Sequence, residues 1–207
     1  MHPLTQAIID GDKVAATELT QLCLDDGEDA SFIVEERLVP GMAVIGEQFQ
    51  RDEIFVPEML IAANAMKASL AILEPLIAES GAKAPHSAVI GTVEGDLHDI
   101  GKNLVGMMWR GANFEVIDLG VNVSPSAFAE AAEEYRPDIV GMSALLTTTV
   151  PHMRDAVAAV KATGVDTKVL VGGAPVSAEF ADEVGADGFA EDAGAAVDVA
   201  RALVGAA

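Results

Sequence analysis

Through roughly the first eighty residues, apolar positions recur every three or four residues, whereas beyond about residue 85 they gather into short unbroken runs. The first pattern predicts helices. Pro3 to Ile9 is a short one, Asp12 to Leu24 a second capped by Asp12, and Asp26-Gly27 ends it. Ser31 to Phe49 predicts a third, with Phe32, Leu38, Met42, Ile45 and Phe49 on one face and Pro40 kinking or splitting it. Pro57 takes a favoured first-turn position in a fourth, whose buried stripe is Met59, Ala62, Met66, Leu73 and Leu76. Residues 1–85 therefore read as a bundle of four or five helices.

The second pattern predicts a sheet. Residues 82–86 (AKAPH) form a linker in which Pro85 stops any helix and His86, with no acidic neighbour, is expected in solvent. Ser87 to Val93, Phe114 to Leu119, Asp138 to Met142, Lys168 to Val171 and Gly188 to Ala190 read as strands. They alternate with helices at Asp99 to Arg110, Pro125 to Tyr135 (capped by Ser124), Pro151 to Thr163, Ser177 to Val184 and Asp192 to Val204. That alternation makes residues 86–207 a Rossmann-like (flavodoxin-like) doubly wound five-stranded parallel sheet, so the chain is α/β with an N-terminal helical bundle. The expected strand order is 2-1-3-4-5, with the ligand site at the switch between strands one and three.

Composition narrows the possible partners. The net charge of -21, from 12 basic and 33 acidic residues, opposes binding to a nucleic-acid backbone or an anionic membrane. No apolar run of about 18 residues and no signal-peptide pattern is evident, which places the chain in the cytoplasm. The single Cys23 excludes an internal disulfide and a multi-cysteine zinc site, so the chain is not expected to activate a thiol substrate itself.

Candidate chemistry centres on Glu94-Gly-Asp-Leu-His-Asp-Ile-Gly-Lys-Asn103, the loop between the first strand and its helix. Asp96 and His98 are two positions apart between Gly95 and Gly101, so carboxylate and imidazole can project to one side. An imidazole whose second nitrogen is held by a carboxylate is a tuned metal ligand; the other reading is an ordinary capped turn with a solvated histidine. The expected strand order brings this loop to the same sheet edge as Ser143 to Thr149 and Gly172-Gly173, where the absence of side chains lets a bulky group lie on the backbone. Lys102 and Asn103 open the next helix, either as solvated first-turn residues or as ligand contacts.

Gly95 to Asn103 (GDLHDIGKN) resembles the Asp-x-His-x-x-Gly signature of cobalamin-binding domains of the methionine synthase type. SALLTTT (Ser143 to Thr149) and VGGAP (Val171 to Pro175) resemble its second and third motifs, in order. Upstream, Glu35 to Phe49, Val56 to Met66 and Ile72 to Ile77 are similar to the helical cap of corrinoid methyl carriers, the proteins of methanol, methylamine, betaine and O-demethylase systems. The resemblance implies a cobalamin or related corrinoid cofactor, cycling among methylcob(III)alamin, cob(I)alamin and cob(II)alamin. His98 would be the lower axial ligand of cobalt, with Asp96 and Thr149 as its relay; methionine synthase has a serine at the last position. Gly95, Leu97, Asp99 and Gly101 would line the cofactor in the same loop, and Ser143, Leu145, Thr147, Gly172, Gly173 and Ala193 would meet it elsewhere on that edge. Phe49 and Val56 would shield the upper face, with Glu35 near the ring edge; family members often carry a larger apolar residue in place of Val56.

The implied function is carriage of a methyl group on cobalt from a substrate-specific methyltransferase to a second, corrinoid:acceptor methyltransferase acting on a thiol or tetrahydrofolate-type acceptor, a step of one-carbon metabolism. A reductive activation protein is the further expected partner, and the chain would catalyse nothing alone. A small subunit of a B12-dependent mutase would not be expected to bring the helical cap. A cobalamin-sensing regulator would need a DNA-binding or signalling module, and no basic segment is left to form one. Residues 82–86 are the expected hinge between cap and sheet, with protease sensitivity that differs between methylated and free states.

Overall fold

The computed structural model describes residues 1–80 and 84–205. They form two compact units, Met1–Pro85 with Arg110–Asn113, and His86–Trp109 with Phe114–Ala207. The first holds helices α1 (Pro3–Ile9), α2 (Lys13–Asp25), α3 (Ala30–Ile33), α4 (Val39–Gln50) and α5 (Val56–Ser80). Asp12 stands outside α2 and caps it, its carboxylate accepting from Ala15 N–H, and Asp29 caps α3 in the same way.

The long helix expected over Ser31 to Phe49 is broken, though not at Pro40 itself. Val34–Leu38 is a single π-turn, in which Val39 N–H reaches back five residues to the Val34 carbonyl. Pro40 lies just beyond, inside α4, where its missing N–H cannot extend the preceding ladder. The carbonyl of Arg37, within the turn, accepts instead from the Thr5 hydroxyl at 2.8 Å. Around this irregular helix, Leu4, Ile8, Ile33, Leu38, Met42, Ile45, Met59 and Leu73 are fully buried.

Three sequence expectations change here. Phe32 is 43% exposed and lies under the Arg37 guanidinium, 4.9 Å from its ring centre. Burial along α5 stops at Leu73, and Leu76 is 40% exposed, because the apolar stripe outlasts the helices that cover it. α5 is also long and apolar enough to cross a bilayer by length and composition, contrary to the sequence reading; its Met59, Ala62, Ala65, Met66 and Leu73 are buried as a core stripe instead.

In the second unit every expected strand and helix is present, with ends displaced by at most a residue: β1 (His86–Thr92), α6 (Ile100–Gly111), β2 (Phe114–Asp118), α7 (Pro125–Tyr135), β3 (Ile139–Ser143), α8 (Val150–Ala162), β4 (Lys168–Gly172), α9 (Ala178–Val184), β5 (Gly188–Ala190) and α10 (Ala193–Val204). Of the expected hinge, residues 82 and 83 lie outside the described residues. His86, expected in solvent, begins β1; it is half-buried, its ring 5.5 Å from that of Phe114.

All strands are parallel, in the order β2-β1-β3-β4-β5. A large aromatic packs on each face over a glycine: Phe128 above Gly91 and Trp109 below Gly141, where an added Cβ would come within 2.9 and 2.6 Å of the rings. The Trp109 indole N–H donates to the Ala196 carbonyl at 3.0 Å, so its one polar group is satisfied in the core. The register then sets Thr92, Ser143, Gly172 and Ala190 on one rung across four strands. The loops that matter leave from that rung.

Candidate functional site

Beyond Thr92 the chain turns through Gly95, whose φ of +80° suits glycine, and the turn is pinned by Gly95 N–H donating to the Asn122 side chain at 2.7 Å. Asp96 is thereby driven inward and is fully buried. Its Oδ1 accepts from His98 N–H at 3.0 Å and from His98 Nδ1 at 2.7 Å. Its Oδ2 accepts from Leu145 N–H at 2.8 Å, Leu146 N–H at 3.2 Å and the Thr149 hydroxyl at 2.8 Å. Burial alone would push this carboxyl upward; the donors from His98, Leu145 and Thr149 outweigh it and hold Asp96 well below the ordinary carboxylate range.

An ionised carboxylate is an acceptor only, so Nδ1 of His98 must carry its proton there. The other nitrogen, Nε2, is the one left to a ligand, on a side chain that is half exposed. This is the arrangement of a metal-ligating histidine whose tautomer and angle are set from behind. Thr149 is buried beside the Asp96 carboxylate, and its methyl lies 3.5 Å from where a Cβ on Gly95 would stand, an ordinary van der Waals distance.

Several large apolar side chains near His98 in the chain or in the loop tied to it are open to solvent. Leu97 is 71% exposed, Ile100 74%, Leu145 46% and Leu146 41%; Leu97, Leu145 and Leu146 lie in the two loops that Asp96 ties together, and Ile100 opens α6. Clustered exposed leucines and isoleucines are unfavourable unless something covers them, at about 25 cal/mol per Å². A large ligand with an apolar ring and a metal at its centre fits both features. Around Gly101 no atom lies within 4 Å of where a Cβ would stand, and Asp99 is exposed, which leaves that flank open.

The remaining expected site residues are placed less uniformly. Ser143 ends β3, Ala193 is buried at the start of α10, and Thr147 is exposed in the loop before α8. Gly172 and Gly173 have a reason nearer than a ligand: a Cβ on Gly173 would fall 1.9 Å from the Ala144 carbonyl oxygen, and one on Gly172 2.8 Å from that of Ala190. Gly173 lets the β3–α8 and β4–α9 loops close-pack, and Gly172 lets the end of β4 approach the end of β5. Glu35 (exposed, in the π-turn), Phe49 (half-buried, in α4) and Val56 (half-buried, opening α5) belong to the helical unit. Phe55, between the last two and 63% exposed, is an apolar residue the sequence reading passed over.

Lys102 requires a correction. It is 2% exposed, not solvated, and its ammonium donates to Asp118 and to Asn103. Asn122 was also missed; an asparagine after Asp118-Leu-Gly-Val was the available sequence signal for a tight turn at the end of β2, where its φ is +54°. His152, in the first turn of α8, lies 3.8 Å from Glu94 at the margin of the site.

In the helical unit, His2, Cys23 and Glu28 bring potential ligand atoms within 4.8 Å of one another. Glu28 is already paired with Arg37, and burial followed by the Glu28 charge pushes the Cys23 thiol up, away from the thiolate a metal needs.

A parallel sheet thus presents a carboxylate-held imidazole and exposed apolar side chains at its switch point, where folds of this kind bind their ligands. Comparison with known proteins specifies the ligand. The B12 binding domain family matches residues 86–198, and a second B12 binding domain family matches residues 1–74. A corrinoid protein of Desulfitobacterium hafniense is 45% identical over 210 residues, covering 99% of this chain and 97% of that one. Dimethylamine corrinoid protein 1 of Methanosarcina acetivorans is 42% identical over 179 residues, 85% of this chain and 84% of its own. The solved methanol:cobalamin methyltransferase complex of Methanosarcina barkeri contains a chain that superposes with a TM-score of 0.86 at 27% identity, over 99% of this chain and 79% of that one. The chain belongs to the B12-binding corrinoid protein family, and its cofactor is a cobalamin or related corrinoid.

Proposed function

We propose that this protein carries a methyl group on the cobalt of its corrinoid from a substrate-specific methyltransferase to a second methyltransferase acting on a thiol or tetrahydrofolate-type acceptor. The observation that carries the reading is His98, with Nδ1 fixed on Asp96, Nε2 left to a ligand, and exposed apolar side chains in its loop and in the loop tied to it. When bound, the corrinoid supplies a cobalt centre able to accept and release a methyl group.

The chain supplies position, proton control and access. His98 would hold the cobalt from below through Nε2, while Asp96 fixes the ring and keeps the Nδ1 proton. Thr149 donates to the far oxygen of Asp96 and would help keep that carboxylate ionised and oriented as the partner of His98. Leu97, Ile100, Leu145 and Leu146 would pack against the cofactor and exclude water from around His98. Ser143, Thr147 and Ala193 would receive the nucleotide tail, and Gly95, Asp99, Gly101, Gly172 and Gly173 would shape the floor. Phe49 and Val56 would shield the upper face, with Glu35 at the ring edge. The similarity to a chain of a methanol:cobalamin methyltransferase complex supports a methyltransferase as partner. A reductive activation protein would restore the reduced cofactor, and the setting is cytoplasmic.

The named relatives are corrinoid proteins, and both the helical unit and the sheet match B12 binding families, which favours the carrier over a mutase subunit or a regulator. Reconstitution with hydroxocobalamin tests the reading: one corrinoid per chain is expected, with His98→Ala binding at least about tenfold more weakly and with altered visible absorbance. Equal affinity and an unchanged spectrum in that variant would overturn it.

A further inference from the structure

Lys102 is charged, buried and not yet explained by cofactor binding. All three donors of its ammonium are used: 2.7 and 2.6 Å to the two oxygens of Asp118, and 2.7 Å to Asn103 Oδ1. Burying an ammonium is costly, and an ion pair in place of apolar packing contributes little net stability. Its contribution lies elsewhere, in what the pair connects. Asp118 is the last residue of β2, and its Oδ1 also accepts from Gly120 N–H at 2.8 Å, which turns the chain out of the strand. The Gly120 carbonyl accepts from Thr92 N–H at 3.0 Å, and the buried Thr92 hydroxyl donates to the carbonyl of His98 at 2.9 Å. Two residues on, Asn122 accepts from Gly95 N–H through its side chain and donates its own N–H to the Asp96 carbonyl at 3.0 Å. On the other side, Asn103 donates from Nδ2 to Asp99 at 3.0 Å. The backbone on both sides of His98 thus hangs on the β2–α7 turn, and one ammonium fastens that turn to the helix that His98 precedes.

We infer that Lys102, through its ion pair with Asp118, is the positioning residue that holds the β2–α7 turn against the His98 loop and so fixes the axial imidazole for the corrinoid. The inference rests on the corrinoid reading above and goes beyond it by assigning a role outside the Asp96–His98–Thr149 relay. Asp118 is 34% exposed in its side chain and can hydrate if the ammonium goes, whereas Lys102 has no water to turn to. The two single substitutions should therefore differ: Lys102→Met keeps the fold, and Asp118→Asn, which strands a buried charge, weakens it.

The test uses the full chain with and without hydroxocobalamin. In the corrinoid-free protein, Lys102→Met is expected to unfold within a few degrees of the parent while the amides of Gly95, Asp96, His98 and Asn122 exchange at least about tenfold faster. On titration with hydroxocobalamin the same variant should bind about tenfold more weakly or worse, with a smaller fraction showing the histidine-coordinated spectrum. Lys102→Met/Asp118→Asn should recover the stability lost in Asp118→Asn but not the affinity. Unchanged exchange and unchanged affinity in Lys102→Met would overturn the inference, as would a double variant that regains parental affinity together with stability. Failure of the parent chain to bind any corrinoid would instead strike the carrier reading, so the two failures are distinguishable.

Discussion

At the level of single residues, Asp96 is the most constrained group in the sheet unit. Five donors converge on a fully buried carboxylate, and its removal would leave the Leu145 and Leu146 amides without that acceptor. Asp96→Asn turns one acceptor into a donor facing donors, so a loss of about 2–4 kcal/mol near neutral pH is expected. The pH dependence has a definite sign. Because the folded state holds Asp96 below the ordinary value of about 3.9, it binds fewer protons there than the unfolded chain does, and the carboxylate stabilises the fold above that value. The stability gap between parent and Asp96→Asn should be full near neutral pH and shrink as acid protonates the group; chemical denaturation at several pH values measures it. A gap that widened toward acid would contradict the buried-carboxylate assignment. The pairing of Asp96 with His98 was legible from their spacing. The two amides of Leu145 and Leu146 were not, since backbone donors carry no side-chain signal.

Secondary elements show where local sequence yields to packing. The π-turn at Val34–Leu38 exchanges one regular ladder bond for the Thr5 hydroxyl, which comes from another helix. Thr5→Val keeps the shape but leaves the Arg37 carbonyl without that donor, and a loss of about 1 kcal/mol is expected in thermal or denaturant unfolding. Gly173 is a harder constraint: its φ is +123° and any Cβ would overlap the Ala144 carbonyl oxygen. Gly173→Ala is expected to lose about 2 kcal/mol or more and to weaken corrinoid binding, because the loop it displaces holds the amides that bind Asp96. Unfolding curves and a hydroxocobalamin titration read both effects. Pro40 announced a break in the third helix; its position a turn earlier follows from a proline withholding its N–H from the preceding turn.

For the molecule as a whole, charge is the dominant feature. With 33 acidic against 12 basic residues the folded chain repels itself, and salt screens that repulsion within about 10 Å at about 0.1 M. The melting temperature should rise by several degrees between about 20 mM and about 500 mM sodium chloride, as scanning calorimetry would show. No change would mean that the negative charges lie too far apart to interact. The same field favours partners with basic docking faces and opposes nucleic acid.

Taken alone, the sequence determined the two-part architecture, the strand order and the convergence of three loops on one edge. These depend on hydrophobic period and on connectivity rules, both of which are local or topological and survive without coordinates. Only the tertiary structure decided which polar side chains are buried. Lys102 could be read as a solvated first-turn residue or as a ligand contact, and only the structure buries it and pairs it with Asp118, sixteen positions away. The direction of His98 likewise depends on amides from another loop and on Asn122, whose contribution arises from strand pairing. Burial and hydrogen-bond partnership at such positions are properties of distant neighbours, and a single chain read in order does not contain them.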